Sequence, residues 1–118
     1  MSKKNPAVPA THTRVVLKFD GTEYELSFGF NQLIEVERLT QRPYLEQVPD
    51  KGGVPTLELI RAMLFVALKR AGCKLTLEEI GERLVFSDLD HVFKTVMLAY
   101  RESKAVTPAD PPPATPAS

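Results

Sequence analysis

The sequence predicts an α+β domain, mainly helical, in which an N-terminal β-hairpin packs on a bundle of about four helices. The stretch "RVVLKFDGTEYELSF" alternates apolar and polar side chains around Asp20-Gly21, and apolar residues then recur at helical spacing in the later segments. Capping residues and breakers bound those segments. With 118 residues, 43% of them hydrophobic and 25% charged, the chain suits one core rather than two large domains closing over a substrate.

Asp20-Gly21 carries the signal of a two-residue type I′ turn, in which both central residues take positive φ. Closure there pairs Phe19 with Thr22, Leu17 with Tyr24 and Val15 with Leu26 on one face, and Lys18 with Glu23 on the other. A lone two-stranded hairpin is marginal in water, so its apolar face must lie on the helices that follow. The first of these runs from about Gly29 to Thr40 and stops before Pro43, because the residue preceding proline disfavours the helical region. Its stripe of Phe30, Leu33 and Ile34 also carries Glu37.

The loop "PYLEQVPDKGGVP" follows, with Tyr44, Leu45 and Val48 placed to form a short apolar turn over the core. The second helix starts at Thr56, has Glu58 in its first turn and stops at Gly72. Leu57, Ile60, Leu64, Ala67, Leu68 and Ala71 form its core stripe. Thr76-Leu77-Glu78-Glu79 is a capping box with Leu75 and Ile80 at the hydrophobic-staple positions, opening a third helix that ends near Val85. Ser87-Asp88-Leu89-Asp90 offers a second capping box, and Leu89, Val92, Phe93, Val96 and Tyr100 recur at helical spacing to about Lys104. Leu98 stands alone on the polar side of that helix. Residues 1–12 and 105–118 are rich in proline and poor in apolar periodicity, which predicts disordered tails flanking a single domain over 13–104.

Charge and composition narrow the function classes. Fifteen basic and fifteen acidic side chains cancel, with an isoelectric point near 6.7, so the strong counterion release that drives nucleic-acid binding is not expected. Cys73 is the sole cysteine, which excludes an intramolecular disulfide and fits a reducing cytoplasm. The longest apolar run, "AMLFVAL", is far short of a membrane span, so no membrane partner is expected.

The residues of catalysis are not assembled in the sequence. His12 and His91 are too far apart for a paired-histidine metal motif, and there is no G-x-S-x-G or glycine-rich phosphate loop. No metal, cofactor or catalytic residue is therefore expected. Cys73 has only Lys74 as an adjacent base in sequence, and Glu78, Glu79 and Glu82 read as a solvated helix start. The third and fourth helices also allow a helix-turn-helix, and a DNA-binding regulator is the alternative function. Asp88 and Asp90 would meet phosphates there with the wrong sign.

A binding role has one sequence feature behind it. Leu59, Met63 and Val66 lie opposite the core stripe of the second helix, with Phe65 beside them, so the helix is apolar nearly all round. It is either central to the fold or the face of a partner groove, and these four residues are the candidate partner-binding set. Glu37 is expected to be a structural carboxylate, paired with Arg61 or Arg83 or reaching water past the helix edge.

The order of parts resembles phage tail assembly chaperones of gene transfer agents and long-tailed phages. That family has an "L-x-x-[LI]-E" helix near the start, then a helix ending "A-L-x-x-[AG]-G", then "[ST]-x-E-E-[IV]". Leu33, Val36 and Glu37 match the first element, Ala67, Leu68, Ala71 and Gly72 the second, and Thr76, Glu78, Glu79 and Ile80 the third. The resemblance covers about residues 14–101 and lies in the order of its motifs, since each alone is a capping or packing signature. Val36 stands where the family has Leu or Ile, and Thr40 where it often has Gly. The resemblance implies a non-enzymatic chaperone of virion assembly in the bacterial host cytoplasm, absent from the finished particle. It would bind the tape measure protein and help recruit the tail tube protein, and it allows a homo-oligomer.

Overall fold

The computed structural model describes residues 14–48 and 55–105. The tails expected at 1–12 and 105–118 lie outside these, except Ala105, which closes the last helix. Two strands, β1 (Val15–Phe19) and β2 (Thr22–Leu26), precede α1 (Phe30–Thr40), α2 (Tyr44–Gln47), α3 (Leu57–Arg70), α4 (Leu77–Arg83) and α5 (Leu89–Ala105), with a 3-10 turn at Phe86–Asp88 before α5. The domain is thus α+β and mainly helical, and the fifth helix beyond the expected four is the short α2.

The hairpin has the expected register: Val15 opposite Leu26, Leu17 opposite Tyr24, Lys18 opposite Glu23 and Phe19 opposite Thr22. Asp20 and Gly21 both take positive φ, 53° and 84°, as a type I′ turn requires. Val15, Leu17 and Phe19 are buried while Val16 and Lys18 face outward. That buried face lies on α5 through β1 and on α3 through β2.

Helix α3 is the axis around which the rest is built, touching β2, α1, α4 and α5. Eight of its residues are buried, among them Leu59, Met63, Leu64, Val66 and Leu68. Its start is capped by Thr56, whose Oγ1 accepts the Leu59 N–H at 3.1 Å. Its end is a Schellman motif: Cys73 N–H donates to Leu68 C=O at 2.9 Å, Gly72 N–H to Lys69 C=O at 3.0 Å, and Gly72 holds φ 104°. Leu57, expected in the core stripe, is instead 61% exposed at the first position of α3, where it lines an open groove.

Helix α4 carries the expected capping box, with Glu79 N–H donating to Thr76 Oγ1 at 3.1 Å and Thr76 N–H to Glu79 Oε1 at 2.9 Å. The second box expected at Ser87 does not form. Ser87 lies within the 3-10 turn, which has no side-chain cap and runs straight into α5. At the far end of the domain Tyr100 of α5 meets Phe28 and Tyr44 edge-on, at centroid distances of 6.3 and 5.5 Å. Ser103 Oγ accepts the Phe28 N–H at 2.9 Å, tying the end of α5 to the link between β2 and α1.

Candidate functional site

The candidate partner-binding set on α3 is not a surface. Leu59, Met63 and Val66 are each 1% exposed, and Phe65 is half buried with Lys69 Nζ 5.6 Å from its ring centroid. The expectation of an outward stripe is corrected for a geometric reason. With the hairpin, α1, α4 and α5 disposed around α3, the side opposite the expected stripe is also interior, so an all-round apolar helix is here a central one.

Glu37 is structural, by a contact other than the expected ion pair. Its Oε2 accepts the Tyr44 N–H at 2.7 Å, meeting an orphan donor in the first turn of α2. Arg83 instead pairs with Asp20 at 3.0 Å, and the stem of Arg61 lies along Gly81. Nearby, Gln47 Nε2 donates to Thr40 Oγ1 at 2.8 Å, and that hydroxyl donates to Val36 C=O at 2.9 Å. Helix α1 ends at Thr40 with Gln41 in the left-handed region at φ 60°. The stripe expected to carry Glu37 inward is itself mixed: Phe30 is 80% exposed and Ile34 39%, while Val36 is fully buried.

An open groove of about 800 Å³ lies between the first half of α3, α4 and the turn before α5. Its walls include Leu57 and Ile60 from α3, Gly81 and Glu82 from α4, and Val85 and Phe86 from the connection. A Cβ on Gly81 would come within 3.2 Å of Arg61 Cδ, so the missing side chain lets α4 sit close against α3. Leu57, Val85 and Phe86 are 61, 50 and 91% exposed, three of the eight large apolar side chains exposed among the described residues. Periodicity does not single out Val85 and Phe86 as binding residues. Their one signal in the sequence is an apolar pair in a helix–helix connection, outside either periodic stripe.

The remaining reactive side chains are dispersed. Cys73 is buried, and Tyr24 is held protonated above its ordinary value of 10.0, chiefly by a hydrogen bond with the Cys73 side chain and then by burial. Asp20, Arg83, Asp88 and His91 line a small cleft of about 90 Å³ beside the hairpin turn. Asp90 pairs with Lys94 at 3.0 Å on the exposed side of α5, and Asp88 is exposed, so the start of the would-be recognition helix presents acids outward. No group of three or more His, Cys, Asp or Glu side chains that could hold a metal occurs among the described residues, and no described helix is long and apolar enough to cross a membrane. Comparison with known protein families, characterised proteins and solved structures finds no match for this chain.

Proposed function

We propose that the protein is a non-enzymatic phage tail assembly chaperone that binds the tape measure protein and helps recruit tail tube subunits. It would act in the bacterial host cytoplasm and would not be retained in the mature virion. The observation that carries the reading is the open groove beside α4, which exposes Leu57, Val85 and Phe86 on a domain whose other large apolar side chains mostly fill its core. A chaperone for a long helical client needs such a surface, because helices are held by laying their apolar face into a groove. The order of the Leu33–Glu37, Ala67–Gly72 and Thr76–Ile80 motifs, on α1, at the end of α3 and on α4, supports the same reading.

Co-expression tests it directly. The tagged chain is expected to capture the tape measure protein encoded near it and to keep that protein from aggregating, and a ternary complex with the tube protein should elute as a defined species. An aggregated client that never co-purifies would refute the proposal. Salt-dependent retention on duplex DNA in place of the client would shift it to the DNA-binding regulator.

A further inference from the structure

We infer that the groove between α3, α4 and the Phe86 turn takes a basic amphipathic helix, a partner segment whose apolar side chains are flanked by lysine or arginine. The inference deepens the chaperone reading and rests on it for the identity of the partner, but its chemistry comes from the groove alone. Three glutamates, Glu58, Glu78 and Glu82, line the apolar walls against one cation, Arg61. None of the three is in an ion pair among the described residues.

Glu58 and Glu78 also complement the dipoles of the helices they open. Glu82 has no such local role: it sits in the last turn of α4, where the dipole disfavours an acid. A cation brought by a partner would meet it there. Phe86, 91% exposed at the rim, supplies the apolar anchor, and the groove's volume of about 800 Å³ suits several large side chains.

The chain's own ends fit this chemistry poorly. Residues 106–118 carry Asp110 and no cation, and residues 1–13 carry Lys3 and Lys4 but only two large apolar residues, Met1 and Val8, with Pro6 between them, where proline disfavours a helix interior. The groove is therefore assigned to a partner.

The test uses the full chain and a roughly 18-residue probe peptide with leucine at helical i, i+3, i+4 spacing and lysine elsewhere, beside a control with glutamate for lysine. The lysine peptide is expected to bind about tenfold tighter than the glutamate peptide, with Phe86→Ala weakening it about tenfold and Glu58→Lys with Glu82→Lys reversing the preference. Circular dichroism checks that the variants fold, which the exposure of all three side chains favours.

Binding that ignores both Phe86→Ala and the charge reversals overturns the inference. So does a truncation to residues 14–118 that binds the peptide about tenfold tighter, which would give the groove to the N-terminal segment. A dimer that dissociates on Phe86→Ala would give it to a second copy and overturn the inference in the same way. Capture of the tape measure protein by the wild-type chain, set beside the peptide results, separates the two readings. If the peptide results hold but the wild-type chain captures no client, the chaperone reading falls and the groove chemistry stands; if client capture holds while the peptide results fail, the inference falls alone.

Discussion

Replacing Glu37 by alanine removes the acceptor of the Tyr44 N–H, a contact of 2.7 Å between α1 and the start of α2. A hydrogen bond to a charged group contributes about 1.5–3 kcal/mol, and the half-buried setting, where water replaces part of the loss, favours the lower end. For a domain of this size a loss of about 1.5 kcal/mol lowers Tm by roughly 6–12 °C. Glu37→Gln keeps an acceptor oxygen and should lose about half as much. Urea and thermal melts followed by far-ultraviolet circular dichroism give both numbers. A double-mutant cycle with Arg83→Ala should be additive within about 0.5 kcal/mol, since Arg83 is engaged with Asp20 instead. An alanine variant within about 2 °C of wild type, or a coupling to Arg83 above about 1 kcal/mol, would refute the assignment.

Met63→Asp places an unpaired charge at a site only 1% exposed and should abolish the folded state, since the penalty of several kcal/mol approaches the whole stability of a small domain. A cooperative, soluble Met63→Asp variant would show that α3 is not central. Gly72→Ala should cost about 1–2 kcal/mol in urea melts. The cost is backbone strain at φ 104°, because a Cβ there meets nothing within 4 Å, and an unchanged midpoint would contradict the Schellman geometry. Tyr24 is raised above 10.0 in the folded chain, chiefly by Cys73. The neutral phenol is thus favoured by folding, a contribution present below the unfolded value and lost as pH rises through the folded one. Urea midpoints at about pH 8 and about pH 11 should fall more for wild type than for Tyr24→Phe, and equal falls would remove the Cys73 contact.

The hairpin was legible residue by residue because two rules agree there: a two-residue turn fixes the register, and the period of two then fixes which side chains point inward. Helix bounds were legible within a few residues where a side chain makes the cap, as at Thr56 and Thr76. They were less legible at Ser87, where a 3-10 turn satisfies the backbone by Asp88 N–H to Val85 C=O and leaves the serine no capping role. The partner of Glu37 escaped because the nearest donor is a main-chain N–H, which no pattern of side-chain charges reveals. Whether α3 is central or a partner face stayed open in the sequence for a related reason. A helix apolar on every side reads as surface plus core when only one covering layer is assumed, and periodicity does not say how many elements surround it. The groove residues Val85 and Phe86 belong to no period, so their exposure became visible only once α4 and α5 were placed.

The apolar face of β1 rests on α5, and Phe28 is tied to Ser103. On the ribosome, Phe19 therefore emerges about 70 residues before the first residue of its covering helix. At about 5–20 residues per second that is an interval of roughly 4–14 s, against microseconds for the hairpin itself to close. Through that interval the nascent chain carries Val15, Leu17 and Phe19 without α5 over them, so completion of the last helix, rather than hairpin closure, sets when that apolar face is covered.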